Sequence, residues 1–102
     1  MKYSPLAVHC TSLCFDIIQS HQFATLEHDD IDGFRDELYL MIKERTQCWP
    51  HRFIREERFI EDVTNGVVSI LHHCLRSGCI RDPQLILSRI EACIDDSIRL
   101  HA

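Results

Sequence analysis

The chain has 102 residues, of which 45% are apolar and 26% are charged, and its formal net charge is −5. A chain of this length forms one domain with its own hydrophobic core, so its stability does not require disulfides or structural metals. The negative charge argues against a nucleic-acid or anionic-membrane partner, because affinity for phosphate groups comes mainly from lysine and arginine.

The first predicted helix spans about residues 5–24. Ser4 can cap its start, and Pro5 can occupy the first position, where the missing N–H costs nothing. Its apolar residues recur at the spacings of one helix face, and they are Leu6, Cys10, Leu13, Cys14, Ile17 and Ala24. Val8 and Phe15 miss this stripe and lie on the polar side of the helix, where uneven packing of the bundle either covers them or leaves them exposed as part of a small interface.

The second predicted helix spans about residues 30–48 and is stopped by Pro50, since the residue before a proline is disfavoured in the helical region. Its apolar stripe consists of Ile31, Phe34, Leu38, Met41, Ile42, Cys48 and Trp49. Leu40 lies outside this stripe among polar residues, where uneven helix packing either covers it or leaves it exposed as an interface anchor.

The third and fourth predicted helices span about residues 51–77 and 83–100. Gly66 is tolerated inside the third helix at a cost of about 1 kcal/mol, and Gly78 is placed to end it in a left-handed conformation. Asp82 and Pro83 repeat the cap-and-proline start of the first helix. The short connections favour antiparallel neighbours, so we predict an all-α, single-domain antiparallel four-helix bundle.

The segment HHCLRSGC, residues 72–79, has the composition of a zinc site. However, consecutive helical residues point about 100° apart, so His72, His73 and Cys74 cannot converge on one ion. A helix end explains the segment better, because Gly78 would place Cys79 against Cys74 in an apolar capping contact. A redox pair of these two cysteines is a less favoured alternative.

The six cysteines are too few for a disulfide scaffold, and most lie in apolar runs, which indicates reduced core residues. Cys10 and Cys14 share one helix face, where core packing is favoured over a metal or redox site. No catalytic motif occurs, so we expect no enzyme activity, no catalytic or metal-binding residues and no cofactor. The start is not typical of a secretion signal, and no run approaches a membrane span, so we expect a cytoplasmic protein.

The charges of the chain are unevenly distributed. The run EHDDIDGFRDE at residues 27–37 holds six acids against one arginine. A helix start attracts acids, because its exposed N–H groups and dipole favour negative charge, and this effect alone is the favoured explanation of the whole run. The functional alternative is a binding surface for a basic partner, with an acidic rim and an apolar anchor, formed by Glu27, Asp29, Asp30, Asp32, Asp36, Glu37, Leu40 and Phe15.

A basic block follows, formed by Lys43, Arg45, Arg52, Arg55 and Arg58. Glutamates and aspartates interleave with it at three- and four-residue spacings, so we expect these charges to pair with each other on a solvated helix face. This pairing makes nucleic-acid binding the weaker interpretation.

In size, charge and architecture the chain resembles small acidic helical inhibitors such as bacterial toxin-immunity proteins. This resemblance implies a role in which an acidic face occludes a basic partner, for example a nuclease toxin. Two alternatives stay open: a Cys/His metal-binding or redox bundle, and a regulatory or adaptor subunit. A homodimer through the exposed apolar residues belongs with the last alternative.

Overall fold

A computed structural model of the protein describes residues 4–20, 28–78 and 82–101, without the side chains of residues 28–30. Four α-helices are present in these ranges: α1 (Pro5–Ser20), α2 (His28–Arg45), α3 (Glu57–Ser77) and α4 (Pro83–His101). A 3-10 turn, Arg52–Arg55, precedes α3. The predicted all-α, antiparallel four-helix bundle is confirmed.

The starts of α1 and α4 follow from their sequences as expected. The Ser4 hydroxyl oxygen accepts a hydrogen bond from the Ala7 N–H at 3.2 Å, and the Asp82 carboxylate accepts one from the Leu85 N–H at 3.3 Å. Each side chain thereby satisfies a backbone N–H that has no partner inside its helix. The last four residues of the first predicted helix, 21–24, lie outside the described residues.

The second helix is displaced from its prediction, since α2 begins at His28 and ends at Arg45 rather than spanning 30–48. After Ile42 the backbone tightens, because the Gln47 N–H bonds to the Glu44 carbonyl and the Trp49 N–H to the Thr46 carbonyl, each three residues back. Pro50 therefore stops a chain that has already left the α-helix.

The predicted start of the third helix at residue 51 is wrong. The chain forms the 3-10 turn, becomes extended at Glu56 (φ −78°, ψ 141°), and only then enters α3. Phe53 and Phe59 are six residues apart and would point about 120° from each other on one continuous helix. The break instead brings their rings into an edge-to-face contact with centroids 5.4 Å apart.

The four helices form a ring in which each packs against its sequence neighbour and α1 closes against α4. Interhelix bonds fix the antiparallel direction of α2 and α3, since Arg35 bonds to Asn65 at 2.9 Å while Lys43, further along, approaches Glu57 at 3.8 Å. The core receives at least one fully buried residue from every element, including Ile17, Leu38, Ile54, Leu71 and Ile90. No described helix is long and apolar enough to cross a membrane.

Candidate functional site

The exposed face of α2 is the strongest candidate for a binding surface. Ile31, Phe34, Leu38 and Ile42 recur at spacings of three and four residues and are all buried, so they set the inward side of the helix. Leu40 points away from that side, and 62% of its surface is exposed. Of the two alternatives for Leu40, coverage by a neighbouring helix and exposure, the structure shows exposure.

Acidic residues surround Leu40 on this face. At 100° per residue, Asp36, Glu37 and Glu44 all lie within about 60° of Leu40, and all three are exposed; Lys43 lies at a similar angle, but it is half-buried and approaches Glu57. Glu44 was not among the predicted partner-binding residues, although its spacing of four from Leu40 was a sufficient signal. The sequence therefore places an apolar side chain at the centre of a carboxylate-rich helix face.

Two of the predicted acids are engaged by other residues of the protein. Asp32 is exposed, but its carboxylate contacts the His72 ring nitrogen Nε2 on α3 at 2.9 Å. Asp36 lies 3.4 Å from the Arg35 guanidinium, which also donates to Asn65. The Asp36 carboxylate stays 88% exposed, so this pair is solvated and weak. These contacts reduce the negative field of this face, to which the exposed Glu44 carboxylate also contributes.

The side chains of three other predicted acids lie outside the described part of the chain. Glu27 lies outside the described residues, and the side chains of Asp29 and Asp30 are likewise outside them although both residues belong to α2. The described part of the candidate surface is therefore Asp32, Asp36, Glu37, Leu40 and Glu44.

The bundle covers Phe15, so this residue is not the exposed anchor of the predicted binding surface. Phe15 is half-buried and packs against the core, whereas Val8 on the same flank of α1 is 44% exposed. Phe15 is also nine residues from Leu6, about 180° around α1. Leu6 lies against the segment that follows α2, so Phe15 points to the opposite side of α1 from that segment. The structure adds a different exposed residue, Leu100 on α4, which is 82% exposed and lies off the stripe set by Ile90, Ile94 and Ile98.

The segment at residues 72–79 is a helix end, as its angles indicate. His72 bonds to Asp32, His73 is exposed, and Cys74 is fully buried, so the three side chains point in different directions. Gly78 has φ +82°, which confirms the left-handed conformation predicted for it. Cys79 lies outside the described residues, so its predicted contact with Cys74 does too.

Three other cysteines lie inside the bundle. Cys10 and Cys14 are buried on α1, and Cys14 is close enough to Cys93 of α4 for the two thiols to influence each other. Burial raises the pKa of Cys10 to about 12, and burial, then the neighbouring Cys10 and Cys93 thiols, raise the pKa of Cys14. The raised pKa values make the thiolate, which is the form that attacks electrophiles and binds metals, scarce at neutral pH. Among the described residues, no three His, Cys, Asp or Glu side chains are grouped so that they could hold a metal ion.

The expected pairing within the basic block is largely absent. Lys43 approaches Glu57, but Asp62 contacts His101 of α4 instead of an arginine. Within the described residues, Arg52, Arg55 and Arg58 are exposed and form no ion pair. The spacing rule failed for Arg52 and Arg55 because the 3-10 turn and the extended Glu56 interrupt the single helix on which it depends, whereas Arg58 shares α3 with Asp62, whose carboxylate contacts His101 instead.

Comparisons with known proteins identify no relative for this fold and surface: no protein-family model, no curated protein and no solved structure matches the chain.

Proposed function

We propose that the protein is a small acidic protein-binding module that inhibits a basic partner by occluding it, in the manner of an immunity protein against a nuclease toxin. The binding surface is the exposed face of α2. The single observation that carries this proposal is Leu40, a large apolar side chain that is 62% exposed and surrounded by carboxylates.

The fold gives no reason for a leucine at this position. The inward side of α2 is already set by its buried stripe, and Leu40 contributes little to it. Interfaces that bind tightly combine an apolar anchor, which loses its water on binding, with a polar rim that excludes solvent. Leu40 with Asp36, Glu37 and Glu44 around it has this composition.

The charge of the surface favours a basic partner. The net charge of −5 and the exposed carboxylates of α2 would attract a positively charged protein and repel an acidic one. An inhibitor benefits from such steering, because fast association limits the time during which its target is active. An adaptor subunit could use the same surface, and it differs from an inhibitor only in its effect on the partner. No specific observation favours the metal or redox alternative over these two.

The experiment begins with capture of a partner from the native organism. The association and dissociation rate constants of the captured protein are then measured with the parent protein and with each variant. Leu40→Ala should speed dissociation and cost about 2 kcal/mol, or roughly 30-fold in affinity, if Leu40 is the anchor. The double variant Asp36→Asn, Glu44→Gln should mainly slow association and weaken its dependence on salt. Asp32 is left intact because its contact with His72 links α2 to α3.

Leu100→Ala is the matched control, since Leu100 is also an exposed leucine but lies on α4. It should leave both rate constants unchanged. An acidic partner, or a basic one whose kinetics do not respond to Leu40→Ala, would refute the proposed surface. If the surface variants behave as expected, an activity assay of the partner then separates inhibitor from adaptor.

A further inference from the structure

An open cleft of about 340 Å³ lies at the end of the bundle where α1 begins and α2 has ended. One wall comes from the first turns of α1, through Leu6 and His9, and the other from Trp49, Pro50 and His51. The volume is within the range of sites that bind small organic molecules, which begins at about 300 Å³.

The lining combines an apolar floor with two polar groups. Leu6 and Trp49 are half-buried and pack against the core, so the floor of the cleft is held in place. His9 and His51 are exposed, and within the described part of the chain no hydrogen bond or ion pair engages either imidazole. Both rings can therefore donate a hydrogen bond to a ligand without breaking one inside the protein.

The charges beside the cleft favour an anion. The segment RTQCWPHRFIR, residues 45–55, contains three arginines and no acid in a protein whose net charge is −5. Arg45, Arg52 and Arg55 are all exposed and form no ion pair with another described residue. The segment that supplies three of the five lining residues is thus locally positive.

We infer that this cleft is a binding site for a small aromatic carboxylate. The aromatic ring of the ligand packs against Trp49 and Leu6, and its carboxylate accepts hydrogen bonds from the imidazoles of His9 and His51 in the positive field of the neighbouring arginines. This site does not depend on the proposed function, because it uses neither Leu40 nor any carboxylate of α2.

Trp49 is the only tryptophan in the chain, so it reports directly on occupancy of the cleft. The probe is phenylacetate, and the measurement is the shift of the single indole N–H resonance in a nitrogen-15 NMR titration. We expect a saturable shift with phenylacetate and binding at least roughly tenfold weaker for 2-phenylethanol, which has a similar body but no charge. The double variant His9→Gln, His51→Gln should reduce phenylacetate affinity by a similar factor.

His73→Gln is the matched control, because His73 is an exposed histidine on α3 that does not line the cleft. Unchanged phenylacetate binding by this variant, together with the expected losses, supports the site. Three results would each overturn it: a resonance that does not shift to saturation, equal affinity for the alcohol, or equal loss in the His73→Gln variant.

Discussion

Gly78 ends α3 and Gly33 lies inside α2. Their backbone conformations predict opposite effects on stability when each glycine is replaced by alanine. Gly78 has φ +82°, a conformation that a side chain disfavours, although the added Cβ would meet no atom within 4 Å. Gly78→Ala should therefore lower the free energy of unfolding by about 1 kcal/mol. Gly33 lies inside α2 with open space around its Cβ position, so Gly33→Ala should raise that free energy by up to about 1 kcal/mol.

Urea denaturation of the two single variants and the parent tests this pair. The Gly33 variant serves as the control, because it adds the same methyl group to a glycine with ordinary helical backbone. If both substitutions changed stability in the same direction, backbone conformation would not be the deciding factor at Gly78.

At the residue scale, side chains that act locally could be predicted from the sequence. The Ser4 and Asp82 caps and the left-handed Gly78 each depend on a few neighbouring positions of one helix. The half-burial of Phe15 could not be predicted in the same way. It depends on how closely the rest of the bundle covers one flank of α1. The spacing of residues along α1 gives no information about that coverage.

Among the helices, α3 and α4 pack closely against each other at Gly66. A Cβ at this position would meet the Sγ atom of Cys93 at less than a van der Waals contact, so either the thiol or a helix must shift. Gly66→Ala therefore combines a gain in helix propensity of about 1 kcal/mol with a packing penalty of about 1 to 3 kcal/mol. We expect the substitution to be less favourable in the parent than in a Cys93→Ala background.

A double-mutant cycle of Gly66→Ala and Cys93→Ala measures this difference by urea denaturation. The interaction energy between the two substitutions should be about 1 kcal/mol or more, because Cys93→Ala removes the thiol that the new methyl group at residue 66 would meet. If the stability effects of the two substitutions are additive, the Cys93 side chain can turn away from α3 without cost. The missing side chain at Gly66 would then not be needed for the close packing of α3 against α4.

Helix boundaries reveal which parts of the fold the sequence leaves undetermined. The number and order of the four helices follow from apolar periodicity and from caps and prolines. The break between the 3-10 turn and α3 does not, because it is stabilised by the contact of Phe53 with Phe59 and the burial of Ile54. Such tertiary contacts outweigh local preferences of about 1 kcal/mol per residue.

Charge is segregated over the whole molecule. The exposed face of α2 is acidic, while the segment that follows it, residues 45–55, is basic and borders the cleft. The separation of the acidic and basic blocks was evident in the sequence. The sequence did not show that the arginines of the basic block would be left to attract a ligand, because the expected mutual pairing within that block is replaced by contacts such as that of Asp62 with His101. The two proposed sites consequently select ligands of opposite charge.

The cysteines give a test of whether the bundle opens to expose its interior. Cys48 is exposed, whereas Cys10, Cys14 and Cys74 are buried. The pKa of Cys10 is raised to about 12 by burial, so its reactive thiolate is scarce in the folded protein. Treatment with iodoacetamide at pH 8, followed by mass spectrometry of peptides, should show Cys48 modified first. The three buried cysteines should react about 1,000-fold more slowly, since an unfolding free energy of about 5 kcal/mol leaves fewer than one molecule in a thousand open.

Mild urea distinguishes global from local opening in the same experiment. If the interior thiols are released only by unfolding of the whole bundle, the modification rates of Cys10 on α1 and Cys74 on α3 should rise in parallel with urea while that of Cys48 stays nearly constant. The control is the same reaction in fully denaturing urea, where the four cysteines should react at similar rates. Rapid modification of Cys10 or Cys14 in native buffer would contradict a closed interior. It would also favour the redox alternative, because accessible thiols on one helix face could exchange with a disulfide substrate.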